Sequence, residues 1–477
     1  MAGSLAKGSL YLMSAQVAFL IAGYIIHAGL GRILGPATYG IFGVVLYLSM
    51  LTQDLVRNGV PQATSKFIAE NPKRVGRITK TSLKLQLILS AGVFLFYFLS
   101  AGVIASLLGD TTLKPYIQLS AFLIPASAFF SLYVNILNGL RKYGEQGYCN
   151  ILYAVGKVFF VFVLVGIGLG VYGALLGYMV APLLGIFFAR HFVKTPASES
   201  GRGINPKKLL NFSLPLIFYG ITFTFLLSID LFFIKRVLGN NVLVGYYTAA
   251  STLAKIPFYI FTAVGMALFP AISHSTSTRN AKLTRHYINS TFRYLIMTLL
   301  PVVILLSASS STIVSIFYTH TYAPAAQPFS LLVIGMACFT LLSILNSIIT
   351  ASGKPWVSLT FLFSLVPISL FLLFLSVPSY KLLGAAFAMV FTYFFGFFIA
   401  ALYVRLHFNA LLPFYSLLRI AVGTVILLFI TLNWHFTPVT LLPSYFVLLL
   451  LYLTILALLR ELKEEDVILF KKLFRVV

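Results

Sequence analysis

Five charged residues interrupt the long apolar segments of this sequence: Asp54, Arg57, Lys157, Asp230 and Lys255. A charged side chain at the centre of a membrane helix costs about 2.5–3.5 kcal/mol, so each of these residues needs a partner, water or a function. Three of the five are basic and two are acidic. The resulting positive balance predicts a site for an anionic ligand such as a phosphate group.

Asp54 and Arg57 are three residues apart and therefore share one face of a helix. Either they form a mutual ion pair that orients the helix, or they line a cavity. In a cavity, Arg57 would bind a substrate phosphate, because its planar guanidinium can donate two hydrogen bonds at once. Asp54 would then support Arg57 or hold a coupling cation.

Lys157 and Lys255 have no acidic residue three or four positions away on the same helix. Each must therefore face another helix or water. We predict that both join Arg57 as substrate-binding cations for an anionic headgroup. The alternatives are pairing with Asp54, with Asp230, or with backbone carbonyls exposed near a proline.

Asp230 lies near the end of an apolar segment, five residues before Lys235. It is predicted either to form a local salt bridge with Lys235 or Arg236, or to serve as a Na⁺ or H⁺ coupling site. His27 is predicted to be a hydrogen-bonded packing residue. The sequence has no paired carboxylates, metal-ligand spacing or nucleophile arrangement, so we predict no catalytic residue and no metal site.

The composition places these residues in a membrane. Of 477 residues, 60% are hydrophobic and 9% are charged, whereas soluble domains have about 25% charged residues. The mean hydropathy is +0.98. The formal charge of +24 lies in short loops between apolar segments, which is typical of membrane topology and argues against a nucleic-acid partner.

A membrane-spanning helix needs about 20 apolar residues. The sequence predicts fourteen such segments, at 9–31, 38–64, 82–108, 116–140, 147–168, 171–192, 211–235, 243–272, 289–317, 326–351, 355–377, 382–405, 412–433 and 441–459. With the N-terminus in the cytoplasm, 26 of the 34 basic residues lie on the inner side, 5 lie on the outer side and 3 lie within spans. This asymmetry predicts that both termini are cytoplasmic.

The chain also contains an internal repeat. Arg236-Val-Leu-Gly239 resembles Arg32-Ile-Leu-Gly35, and Val244-Gly245-Tyr246-Tyr247 resembles Tyr39-Gly40-Ile41-Phe42. The glycines of both motifs are predicted to serve tight turns. We predict an N-terminal six-helix bundle at 1–195, a cytoplasmic linker at 196–210 and a second six-helix bundle at 211–406. Residues 407–477 would add two membrane helices and an amphipathic cytoplasmic tail.

Two motifs resemble those of the polysaccharide transporter family of the O-antigen flippase type. They are Arg32-Ile-Leu-Gly-Pro-Ala-Thr-Tyr-Gly40 and Lys208-Leu-Leu-Asn-Phe-Ser-Leu-Pro-Leu216. The family belongs to the superfamily of the multidrug (MATE) exporters and the lipid II flippase. The resemblance implies an all-α polytopic fold of about 14 membrane helices, with two pseudo-symmetric six-helix bundles and two extra C-terminal helices.

The resemblance also implies a function. Such a protein would move a lipid-linked oligosaccharide across the cytoplasmic membrane by alternating access, without a cofactor other than a coupling Na⁺ or H⁺. Glycan polymerase or transferase machinery would be its partner. A cation-coupled multidrug exporter and, more remotely, a membrane glycosyltransferase or ligase are the alternative functions.

Overall fold

The computed structural model describes residues 2–193, 205–278, 280–410 and 414–462. These residues form helices and connecting turns, without a strand among them. Most of the predicted linker 196–210 and the predicted amphipathic tail lie outside the described residues, and so does Arg279.

By internal contact, the chain divides into two compact units. Unit 1 comprises Met1–Ala249 and Ser369–Leu382, and unit 2 comprises Ala250–Ile368 and Leu383–Val477. The predicted division into bundles at 1–195 and 211–406 stays a prediction. For clarity, we call residues up to 193 of unit 1 the first repeat, and residues 205–249 the start of the second repeat.

Ten helices begin in unit 1. They are α1 Ala2–Arg57, α2 Val60–Glu70, α3 Val75–Leu107, α4 Lys114–Ala121, α5 Leu123–Gly139, α6 Tyr143–Leu164, α7 Gly170–Phe192, α8 Pro206–Leu226, α9 Ile229–Leu238 and α10 Asn241–Ala254. Short 3₁₀ turns at Pro72–Arg74 and Thr111–Leu113 precede α3 and α4, and a π turn at Val165–Leu169 joins α6 to α7.

Seven further helices follow, with a 3₁₀ turn at His320–Ala325. They are α11 Ile256–Ser277, α12 Ala281–Ala308, α13 Ser310–Phe317, α14 Ala326–Ala351, α15 Pro355–Phe408, α16 Phe414–Leu432 and α17 Leu441–Leu458. Within unit 2, Arg293 of α12 holds the chain just after α17 through a buried ion pair with Glu461, with Nε and Oε1 2.8 Å apart. At the other end of α12, Ser309 bonds the hydroxyl of Tyr445 on α17.

Ten segments of the described chain are long and apolar enough to cross a membrane. Three of them contain 60, 50 and 54 residues, far more than one crossing needs. Each is broken by a residue with positive φ: Gly35 (φ 70°), Gly168 (φ 93°) and Lys381 (φ 50°). These breaks separate the predicted pairs of spans, and the predicted span 243–272 falls on α10 and α11. The prediction of an all-α polytopic membrane protein is confirmed.

Candidate functional site

The end of α1 carries the predicted pair Asp54 and Arg57. The helix ends at Arg57 because the next turn runs through Gly59, whose φ of 87° is unfavourable for other residues. A Cβ at Gly59 would lie 2.7 Å from Cγ1 of Ile217 on α8. The break therefore brings α8 of the second repeat against the segment that holds Asp54 and Arg57, both of which are half-buried.

Asp54 and Arg57 do not form the direct ion pair that was one of the two expectations. The carboxylate of Asp54 accepts a hydrogen bond from the hydroxyl of Thr224 on α8, and Arg57 acts on it only as a nearby charge. Ser131 of α5 donates to the backbone carbonyl of Arg57 at 3.1 Å. Within the described residues, the guanidinium itself makes no hydrogen bond or ion pair, so it remains able to bind a ligand.

Lys157 of α6 is a buried ammonium group enclosed by aromatic rings. Only 4% of the residue is exposed. Its Nζ lies 4.5 Å from the ring centroid of Phe19, 4.9 Å from that of Tyr178 and 5.4 Å from that of Tyr153. Such rings attract a cation through their quadrupole, by about 2 kcal/mol when water is excluded.

The rings do not neutralise the charge of Lys157. In the described part of the chain, no carboxylate and no hydrogen-bond acceptor contacts its ammonium. The charge that acts on it is that of Arg57, which is also positive. Arg57 and Lys157 thus form a pair of cations in unit 1 without a direct counter-ion, an arrangement that is complementary to an anion.

Sequence reasoning missed the aromatic residues that hold Lys157. Tyr153 could have been found, because it lies four residues before Lys157 and therefore on the same helix face. Phe19 and Tyr178 come from α1 and α7, and nothing in their spacing points to Lys157. Thr224, the partner of Asp54, was missed for the same reason, because 170 residues separate the two.

The predicted salt bridge between Asp230 and Lys235 or Arg236 is wrong. Asp230 is buried and accepts a hydrogen bond of 2.6 Å from the hydroxyl of Tyr247 on α10. Lys235 instead pairs with Asp110, which follows α3 in the first repeat. The local spacing did not predict this pairing, because the carboxylate comes from a segment 125 residues away in the chain.

His27 and Lys255 have different outcomes. Nδ1 of His27 lies 2.9 Å from the hydroxyl of Tyr39, which confirms the prediction of a hydrogen-bonded packing residue. Lys255 is 5% exposed and lies between α10 and α11 in unit 2. Its membership of one cation set with Arg57 and Lys157 therefore stays a prediction.

The repeat glycines fall into two classes. Gly35 (φ 70°) and Gly239 (φ 61°) occupy turns, as predicted. Gly40 and Gly245 were wrongly predicted to serve turns, because they lie inside α1 and α10 where these helices cross. A Cβ at Gly40 would collide with the backbone of Asn241 and Gly245, and a Cβ at Gly245 would collide with the backbone of Pro36. The contact is reciprocal between the two motifs.

Among the described residues, no group of three or more His, Cys, Asp or Glu side chains is arranged to hold a metal ion. Cys149 and Cys338 are free thiols.

Known proteins resemble this chain in sequence. A putative O-antigen transporter of Shigella flexneri is 24% identical over 372 residues, which cover 75% of this chain and 87% of the relative. The lipid III flippase of Escherichia coli strain K12 is 27% identical over 185 residues, 38% of this chain and 44% of the flippase. An uncharacterized membrane protein of Methanocaldococcus jannaschii, MJ1068, is 28% identical over 33% of this chain, and the match spans 31% of its length.

Solved structures share the fold. The lipid II flippase MurJ in an inward closed conformation has a TM-score of 0.74 at 14% identity, covering 97% of this chain and all of that one. An inward-facing multidrug resistance MATE family transporter has a TM-score of 0.72 at 16% identity, and the match covers 83% of this chain and 94% of that one. The model of a family described as polysaccharide biosynthesis protein matches residues 5–276. The chain belongs to this polysaccharide biosynthesis protein family, as the motifs at Arg32 and Lys208 predicted.

Proposed function

We propose that this protein is a flippase that moves a lipid-linked oligosaccharide, anchored on a polyprenyl phosphate or diphosphate, across the cytoplasmic membrane. The related O-antigen transporter and lipid III flippase support this activity. The observation on which the proposal depends is the cation pair of Arg57 and Lys157, which lacks a direct counter-ion among the described residues. Because these relatives are a transporter and a flippase, the prediction that the chain is not an enzyme is confirmed.

The two cations would bind the anionic headgroup in complementary ways. Arg57 would donate two hydrogen bonds to phosphate oxygens, while Lys157 would act as a compact charge. The rings of Phe19, Tyr153 and Tyr178 would keep the ammonium in place and exclude water from it. A phosphate would supply the negative charge that the site lacks, and the lipid tail would stay in the bilayer.

Transport would follow alternating access, in which the two repeats rock against each other around the binding site. The 26 to 5 distribution of basic residues supports both termini on the cytoplasmic side of the membrane. Asp110 and Lys235 would then lie near the outer surface, and Lys66 near the inner one. Glycan polymerase or transferase machinery would take over the product.

A cation-coupled multidrug exporter is the second candidate. The MATE fold and the half-buried carboxylate of Asp54 favour it. An exporter of organic cations would need negative charge in its cavity, however, and Asp54 lies close to the positive charge of Arg57. We therefore assign Asp54 to supporting Arg57 or to H⁺ or Na⁺ coupling, and Asp230 to coupling.

The test is leaflet exchange of a fluorescent polyprenyl-diphosphate oligosaccharide in liposomes. Arg57→Gln and Lys157→Gln should each reduce the exchange rate by about tenfold or more, since each removes charge-assisted hydrogen bonds to the phosphate. Lys84→Gln, at an exposed lysine of α3, is the matched control and should exchange at the wild-type rate.

Thermal unfolding separates binding from folding. Removing the unpaired buried charge should leave the stability of Lys157→Gln equal to wild type or higher. Wild-type exchange in the double variant, Arg57→Gln with Lys157→Gln, would overturn the assigned site. Export of a cationic dye without any exchange of the oligosaccharide would overturn the flippase function in favour of the multidrug exporter.

A further inference from the structure

An ion pair joins the first repeat to the second at one end of unit 1. Nζ of Lys235, in the last turn of α9, lies 2.5 Å from Oδ2 of Asp110, which follows α3. The same ammonium donates to the side-chain carbonyl of Asn241 at the start of α10. We call this region, comprising Gly109, Asp110, Lys235, Arg236 and Asn241, the Asp110 end.

The carboxylate of Asp110 is oriented by Thr112. Oδ1 of Asp110 accepts hydrogen bonds from the backbone N–H of Thr112 at 3.0 Å and from the hydroxyl of Thr112 at 2.5 Å. This leaves Oδ2 for the lysine. The side chain of Lys235 is 1% exposed and that of Asp110 is 14% exposed. A pair with this burial is strongly affected by the loss of either partner, because the remaining charge stays buried and unpaired.

The ion pair lies beside the crossing of α1 and α10. Asn241, which accepts from Lys235, also provides the backbone carbonyl that a Cβ at Gly40 would strike. Asn241 therefore takes part in both the backbone contact and the hydrogen bonds of the ion pair, so both interactions close the same end of unit 1. The partners of each contact belong to different repeats.

We propose that Asp110, Lys235 and Asn241 form a latch that holds this end closed and breaks in every transport cycle. The proposal depends on alternating access, as proposed above, since rocking of the repeats must separate their contacts at one end. Opening would expose both charges to water, which offsets much of the lost attraction. An ion pair can therefore stabilise the closed state and still separate during transport. Exposing an apolar contact of similar area to water would remain unfavourable.

The first test measures the conformation without any substrate. Spin labels are placed at Leu107→Cys and Val237→Cys, two exposed positions, in a background with Cys149→Ala and Cys338→Ala. Distance distributions are recorded by pulsed electron resonance in liposomes. Lys235→Met should increase the ratio of long to short distances by about tenfold or more, as expected for the loss of a charged hydrogen bond.

Two further variants control this measurement. Asp110→Asn preserves the shape of the side chain and should produce the same long distances. It also tests the latch if Lys235→Met does not fold. Lys114→Gln removes an exposed lysine from α4 near the same end and should give the wild-type distribution. Wild-type distributions in folded Lys235→Met and Asp110→Asn would show that the pair is a static brace and would overturn the latch.

The second test links the two sides covalently. In the same cysteine-free background, Asp110→Cys with Lys235→Cys is joined by a short reducible bifunctional thiol reagent. Linked protein should stop exchanging the fluorescent lipid-linked oligosaccharide, and reduction should restore exchange. Continued exchange by fully linked protein would overturn the latch and leave the flippase intact. Absence of exchange in the wild-type protein would overturn the proposed flippase function. The spin-label distances would still show whether the latch opens.

Discussion

The two ends of unit 1 are closed by the same repeats through different chemistry. At the Asp110 end, a buried ion pair and a backbone crossing at Gly40 and Gly245 join them. At the opposite end, which we call the Lys66 end, Nζ of Lys66 on α2 lies 4.2 Å from the ring centroid of Phe212 on α8. Nζ of Lys208 on α8 lies 5.2 Å from the ring centroid of Phe67 on α2.

These contacts differ in the free energy that they contribute. The Lys66 side chain is 45% exposed, and an exposed cation–π contact contributes about 0.5–1 kcal/mol. Removing one partner of a buried ion pair costs about 3–5 kcal/mol. The difference teaches that the charged contacts between the repeats are stronger at the Asp110 end, whereas the Lys66 end is also joined by apolar burial of Leu209 on α8 with Phe67 and Ile68 on α2. We therefore expect the loss of a charged partner to loosen the Asp110 end far more than the Lys66 end.

The largest effect is expected from Gly245→Ala. The added methyl group would collide with the backbone of Pro36, which cannot move aside as a side chain can. We expect a loss of about 3 kcal/mol in the free energy of unfolding, or an equal shift towards the form open at the Asp110 end. Thermal unfolding in detergent and the spin-label distances described above measure the two effects.

Gly92→Ala is the matched control, because a Cβ at Gly92 would meet no atom within 4 Å. It lies inside α3, where alanine favours the helix over glycine by about 1 kcal/mol, so its stability should equal or exceed that of wild type. If Gly245→Ala behaved like Gly92→Ala, the crossing would not be the tight contact that distinguishes the two ends.

An intermediate effect is expected from changing the pH of the solution on the side of the membrane that the Asp110 end faces. Partial burial raises the pKa of Asp110, but hydrogen bonds and the positive charge of Lys235, together with hydrogen bonds from Thr112, outweigh burial and hold the pKa below its usual value of 3.8. A lowered pKa stabilises the closed form above the ordinary pKa, and this stabilisation is lost as the pH falls through the lowered value. The closed fraction should therefore be constant from about pH 8 to about pH 5 and fall only below about pH 4.

The charged groups facing Asp110 from α9 are Lys235 and Arg236, whose guanidinium lies beside Gly109. The measurement is the spin-label distance distribution against pH, with Asp110→Asn as the control that should not respond. A transition centred near pH 6.5 would indicate a histidine instead and would contradict the assignment to Asp110.

The smallest effect is expected at the Lys66 end. Lys66→Gln removes a cation from the ring of Phe212 and from a salt bridge with Glu70 at 3.9 Å, which is solvent-exposed on both sides. Exposed pairs of this kind contribute about 0–1 kcal/mol. The unfolding free energy should therefore change by less than about 1 kcal/mol. A loss as large as that of Lys235→Met, measured in the same way, would remove the asymmetry between the ends.

Much of the fold could be predicted from the sequence, because membrane helices are specified locally. Apolar segments of about 20 residues placed the spans, and the motifs at Arg32 and Arg236 predicted a repeat. The contacts between the repeats were less accessible. Lys235 has Asp230 five residues away, yet it pairs with a carboxylate 125 residues away. Only the packing of α3 against the second repeat decides between the two.

The candidate site shows the same limit. Lys157 and Arg57 stood out because charges are rare in apolar segments, and the lack of a nearby acid near Lys157 was visible in the sequence. The enclosure of Lys157 was not, because its rings come from α1, α6 and α7. Aromatic residues are abundant throughout the chain, with 45 Phe and 26 Tyr, so their type alone could not identify the three that matter.

The glycine crossing has a consequence for the electrical integrity of the membrane. A protein that passes a bulky glycan needs a wide path, and a wide path conducts protons and salt whenever both ends admit water. At Gly40 and Gly245 the two backbones pass so closely that not even a methyl group fits between them, and a water molecule does not fit either. The ion gradients of the host membrane would then depend on two positions where hydrogen takes the place of a side chain.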